Sequence, residues 1–335
     1  MFLNSWSLGL TVSALAVLIL GGVAGRTALR VLRHWDPASD SNRQIRLEGE
    51  TWLAATLVEY VLGFQIATLI LFVLAADQFC RVIVGAMCAT GALLANGYGM
   101  PALAVKVVGV FLYGFWIVLH RLDITSESYP LVRAKYIYLL GLLPLLLLDA
   151  TLQTLYIAGL KPDIITSCCG VVFAAAGEQT GNLLANLDHA TLLTLFYATA
   201  GLLAGAALLL RRRRPAPLVI AAALGWLWFF VLALVTVTVV FSSYIYAMPY
   251  HRCPFCILKP EYHYIGLAIY TALIVAAFAG ITAALVHPLG RRDDLAEAVQ
   301  RYQERAARLS LIFLLLFIAL ASYHWLVYIF LGGEQ

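Results

Sequence analysis

Residues 217–241 read PLVIAAALGWLWFFVLALVTVTVVF, an apolar run without one ionisable side chain. A helix of about 20 apolar residues crosses a bilayer, so this run is long enough to span one. Its flanks give it a direction. Upstream stand Arg211, Arg212, Arg213 and Arg214, followed by Pro215 and Pro217, as expected of a tight basic turn. Downstream, before the next apolar run, comes Tyr250-His251-Arg252-Cys253-Pro254-Phe255-Cys256-Ile257-Leu258-Lys259-Pro260-Glu261-Tyr262-His263. The whole chain of 335 residues is 62% apolar and 12% charged, with mean hydropathy +0.88. Soluble domains run nearer half apolar and a quarter charged, which excludes a soluble globule.

The same test along the rest of the chain gives an all-α polytopic membrane protein, a single helical domain over residues 1–335. Its eight spans fall at about 7–29, 52–76, 101–120, 136–158, 190–210, 217–241, 263–286 and 309–330. The first run is followed, not preceded, by Arg26, Arg30 and Arg33, so it reads as a retained span rather than a cleaved signal. Connections then alternate sides. The segments 26–50, 121–135, 211–216 and 287–308 carry 17 of the 22 basic residues, while Arg81, Lys106, Lys161, Arg252 and Lys259 fall on the other side. Basic residues are retained in the cytoplasm, so both termini are expected outside. The arginine run is thereby explained as topology, and no nucleic-acid partner is expected. Within 287–308, Leu295, Val299, Tyr302 and Ala306 form an apolar stripe, with Glu297/Arg301 and Glu304/Arg308 as i,i+4 pairs. This stretch reads as an amphipathic helix lying on the inner membrane surface.

The outer face takes all six cysteines. Cys80/Cys88, Cys168/Cys169 and Cys253/Cys256 each sit at the outer turn of a hairpin. Between Cys80 and the third span, Val82–Ala95 is apolar but too short to cross, and glycines surround it. It reads as a re-entrant or interfacial helix, with a shorter dip at 170–177. If 79–89 is helical, eight residues at 1.5 Å rise put Cys80 and Cys88 roughly 12 Å apart. That is too far for a disulfide, whose Cα atoms lie within about 7 Å. A bond between adjacent Cys168 and Cys169 would close a strained ring.

Three chemistries fit this face. Outside the cytoplasm disulfides persist, so the cysteines could be staples over the loops of a structural subunit. Alternatively, C-x-x-C lets one thiolate attack a mixed disulfide held by the other. Pro254 at a first helical position would place Cys253 at a helix N-terminus, and Arg252 adds positive charge; both lower a thiol pKa. Cys253 is then the attacking thiol and Cys256 the resolving one, with Cys80, Cys88, Cys168 and Cys169 relaying electrons. A C-x-x-C at the outer end of a span, with further cysteine pairs in outer loops, is similar in layout to the membrane disulfide-forming enzymes that pass electrons to quinone. The likeness covers Cys253 and Cys256, and those enzymes are smaller bundles. It implies a membrane quinone as electron sink and an extracytoplasmic thiol or redox protein as partner.

The third chemistry is metal binding. Cys253, Cys256, His251 and His263 offer two thiolates and two imidazoles, a set that suits zinc or copper(I) for binding or transport. His189 and His324 stand on the same side. No C-x-x-C-H is present, so a covalent haem is not expected. Two ionisable residues fall inside spans, where they are costly and default to function: Glu59 in the second and Asp149 in the fourth. Proton handling is the functional reading. The structural alternative is a hydrogen bond to a neighbouring span through Thr151, Gln153 or Thr154. Pro144, just before Asp149, is a candidate kink. Membrane lipid and other subunits of a membrane complex complete the expected partners.

Overall fold

The computed structural model describes residues 4–36, 41–161, 188–248 and 251–332. Cys168, Cys169, Glu178 and the apolar stretch 170–177 lie outside the described residues. Among the described residues every element is helical. The helices are α1 (Ser5–His34), α2 (Asn42–Phe79), α3 (Ala89–Leu94), α4 (Gly99–Asp123) and α5 (Val132–Gly159), followed by α6 (His189–Arg212), α7 (Ala216–Tyr246), α8 (Ile265–Leu285) and α9 (Ala296–Leu331). All but α3 are long and apolar enough to cross a membrane, and each of these eight contains one of the expected spans or nearly all of it. The chain divides into two compact units, Met1–Thr166 and Ser167–Gln335, with four such helices in each.

In the first unit the helix starts are set by side-chain caps. Asn4 accepts from the Trp6 amide at 3.1 Å, and Ser41 from that of Gln44 at 3.3 Å. The core runs along the helices rather than to a centre. Val17, Ala24 and Ala28 of α1 meet Val58 and Leu62 of α2, with Leu139, Leu142 and Leu146 of α5. Gly25 permits a close crossing: a Cβ there would lie 2.7 Å from Leu143 Cδ1. Small residues are what bring membrane helices together. Pro144 sits inside α5, which continues through it as one helix.

The stretch expected to be re-entrant differs from expectation. α2 ends at Phe79, residues 80–88 are turns and bends, and Gly85 takes φ +81°. Helix begins only at Ala89 and lasts six residues. Gly85 outweighs the apolar content of the stretch, because glycine takes a left-handed backbone freely and is the costliest residue to fix in a helix apart from proline. The helical premise that separated Cys80 from Cys88 is therefore not met. Tyr156 of α5 ties the segment down by donating to Ala92 O at 3.1 Å, while Asn96 donates to Tyr156 O at 2.9 Å.

The second unit packs around aromatic rings. Phe196 of α6 touches Phe229 and Phe241 of α7 and Phe317 of α9, with centroids 5.3, 5.4 and 5.9 Å away. Trp226 lies directly over Gly280 of α8, where a Cβ would overlap the indole. α7 contains a π-helical turn, Val237–Phe241, before its last turn. The amphipathic stretch becomes the first part of α9, continuous with the eighth span. Its stripe is covered by protein rather than spread on a surface. Ala306 and Tyr302 pack on Ala279 and Ala283, and the Tyr302 hydroxyl bonds Thr282 Oγ1 at 2.7 Å. Glu297 and Arg301 pair at 3.5 Å as expected. Glu304 instead meets Arg214 of the basic run, at 2.7 Å.

Candidate functional site

The C-x-x-C loop closes the hairpin between α7 and α8. α7 stops at Ala247, which adopts a left-handed conformation, φ +52°. The return is equally abrupt, with His263 and Tyr264 both left-handed at φ +53° and +55°. Between them, two phenols from the flanking helices brace the motif. Tyr246 donates to Cys253 O at 2.5 Å and accepts from the Ile257 amide at 2.9 Å. Tyr270 of α8 donates to Pro254 O at 2.7 Å. Gly266 lets the loop rest on α8, since a Cβ there would stand 2.9 Å from Ile257 O. Both cysteines are present as thiols and both are buried, Cys253 fully and Cys256 at 8% exposure. Their sulfurs lie within 4.8 Å of each other.

Pro254 does not open a helix. Pro254 and Phe255 form a turn, followed by two single turns of 3-10 geometry, Cys256–Leu258 and Pro260–Tyr262. Cys253 thus lacks the helix N-terminus expected for it, because Pro260 and the braced turn leave no length for an α-helix. The histidines are placed apart. His251 is half-buried edge-on to Tyr246, ring centroids 4.5 Å apart, and His263 is exposed. Among the described residues neither joins the two sulfurs in a three-ligand group within 4.8 Å. His189 opens α6, 3.5 Å from Arg252 Nη2, and His324 is exposed on α9. Asp188 caps α6 by accepting from the Thr191 hydroxyl and amide, at 2.7 and 2.9 Å; these bonds hold its carboxyl below the usual range. Burial and the neighbouring Cys256 raise the Tyr262 phenol above its ordinary value. Cys80 and Cys88, in the first unit, are buried at the ends of α2 and α3, and Cys80 Sγ donates to Asp77 O.

The first unit holds a second cluster of chemistry, and here the structure corrects the sequence reading. Asp149 does not bond Thr151, Gln153 or Thr154. Both threonines bond carbonyls of their own helix, and Gln153 donates to Leu10 O at 2.9 Å. Asp149 instead faces Lys106 Nζ at 2.9 Å and accepts a short hydrogen bond from Gln65. Lys106, counted with the outer loop residues, lies two turns inside α4 and is buried. Nearer the other end of α4, Glu59 meets Arg121 at 2.5 Å and His120 Nε2 at 3.7 Å. His120 Nδ1 is 3.4 Å from Lys135, which pairs with Asp123 at 2.5 Å; both partners are buried. Lys106, His120, Asp123 and Lys135 escaped the sequence reading. The available signal was position: Lys106 falls within the third apolar run and so cannot be a loop residue.

Comparison of the chain with models of protein families, with curated proteins and with solved structures returned no match.

Proposed function

We propose that the protein is an integral membrane dithiol oxidoreductase working at Cys253 and Cys256 on the extracytoplasmic side, with a membrane quinone as electron sink. The observation that carries this reading is the pair of buried sulfurs within 4.8 Å, in a loop braced by Tyr246 and Tyr270. A disulfide needs only that side chains turn to bring two such sulfurs into bonding distance. In the oxidising step the two thiols lose two electrons and two protons, the S–S bond forms, and quinone takes up both to become quinol. In the second step an outside dithiol attacks the new disulfide, passes through a mixed disulfide, and leaves oxidised while the pair is restored as thiols. Membrane insertion is supported by the eight apolar helices and by large side chains facing outward from them, such as Leu202, Leu224 and Phe330. Sidedness is supported by the basic residues of the connections.

With no helix behind Cys253, burial rather than a helix dipole distinguishes the two thiols. Cys256 is the more exposed and is the sulfur assigned to take the outside partner's attack; Cys253 is the leaving thiol, and the partner's second thiol resolves the mixed disulfide. The soft-metal alternative draws less support, because His251 and His263 stand outside the two-sulfur group. The test is covalent trapping. Given a small cyclic disulfide as the oxidised partner, Cys253→Ala should accumulate a mixed disulfide as the Cys256 thiolate opens that ring and its other sulfur leaves as a thiol, and Cys256→Ala little. Failure to trap an adduct in either variant, with stoichiometric zinc or copper lost from both, would replace the redox reading by the metal one.

A further inference from the structure

The polar interior of the first unit holds ionisable groups that the dithiol reading does not use. Lys106 and Asp149 are 4% and 1% exposed, on helices long enough to cross a membrane. Burying a charge costs several kcal/mol even when it is paired, and an apolar pair of like volume is often as stable. Fold stability therefore does not account for this pair. Ionisable groups inside membrane helices are a functional site by default.

The surroundings fit a carboxyl that changes its charge. Beside the pair lies a cavity of about 10 Å³, lined by Ser13, Gln65, Thr68, Lys106, Asp149 and Gln153 among others. That is room for about one water among polar partners. The Phe72 ring centroid is 5.4 Å from Lys106 Nζ, which gives the ammonium a second favourable contact. Tyr113, one heptad along α4, is buried with a hydroxyl that makes no hydrogen bond. Gly109 makes room for its ring, as a Cβ there would stand 2.5 Å from it. The titratable groups facing Asp149 are thus Lys106 and Tyr113, both from α4. α2 contributes Gln65 and Thr68, α1 contributes Ser13, and α5 itself contributes Gln153; none of these titrates.

We propose that Asp149 is a membrane-embedded proton-binding site, in which one proton from water converts the carboxylate to the acid and releases Lys106. The ammonium keeps its proton, so the site passes from neutral to one positive charge. The released lysine retains the face of Phe72 and the cavity. The proposal rests on the first unit alone and stands or falls separately from the dithiol reading.

Infrared titration of the full chain in phosphatidylcholine vesicles tests it. As pH falls, wild type should develop a protonated-carboxyl band that shifts in D2O, larger by one carboxyl than in Asp149→Asn, and the component lost in Asp149→Asn should remain in Glu59→Gln. In Lys106→Gln the carboxyl has lost its cation, and the same band should appear at a pH higher by ~1–3 units. Identical titrations in wild type and Asp149→Asn would overturn the proposal. Should Asp149→Asn fail to fold, an onset unmoved in Lys106→Gln would overturn it equally.

Discussion

Tyr246 shows how one side chain fixes the C-x-x-C loop. Its hydroxyl is donor to Cys253 O and acceptor from Ile257 N–H, so a single atom bridges both sides of the C-x-x-C turn. Tyr246→Phe keeps the ring contacts with His251 and Tyr262 but leaves a buried amide without its partner. The expected cost is about 1–3 kcal/mol. Read as maleimide labelling, Cys256 should react several-fold faster than in wild type, while Tyr244→Phe should label like wild type. Equal rates in both variants would remove Tyr246 from the account. None of this was legible beforehand: tyrosines near a membrane end read as interfacial anchors, and only the chain reversal at Ala247 brings this one onto the loop. Asp149 was legible, because a carboxylate in a leucine run announces its own cost. Its partner was not, since Lys106 sits on another helix and sequence spacing carries no information about which helices touch.

The helices themselves were readable because length and apolar content decide them, and all eight expected stretches form helices long and apolar enough to cross a membrane. What sequence missed lies at their ends and contacts. The stretch 80–88 has the hydropathy of a helix, but the backbone turns through the left-handed Gly85 within it. The stripe of Tyr302 and Ala306 was found correctly; that it faces α8 depends on the turn at 287–295 folding it back. Glycine inside a membrane helix has the same ambiguity. Gly201 and Gly205 of α6 would admit a Cβ into open space, whereas Gly280 of α8 lies under the Trp226 indole. Gly280→Ala should therefore lower thermal stability, by the ~1–3 kcal/mol typical of overpacking. Gly201→Ala should be neutral or slightly stabilising, since alanine is the better helix former. Thermal unfolding of both variants in one detergent checks the contrast. Equal midpoints would mean that Trp226 does not rest on Gly280.

At the scale of the molecule, each unit supplies four membrane-length helices and one candidate chemistry: an ion pair in the first, a dithiol in the second. The charge count behind the expected orientation needs one revision. Lys106 and Lys135 are buried inside the first unit and do not count as loop charges, yet the remaining basic residues still gather on the same connections. The dithiol was legible as a motif, while its burial and its two tyrosine braces were not. Its proposed role makes a quantitative demand, because quinone must take both electrons from these two sulfurs. The most direct measurement adds one equivalent of quinone to the reduced chain in quinone-free vesicles without oxygen, then counts and maps thiols after unfolding. The account predicts that Cys253 and Cys256 together lose their thiols, recovered as one disulfide-linked peptide, with one quinol formed per chain. An unchanged thiol count with the quinone still oxidised would contradict it.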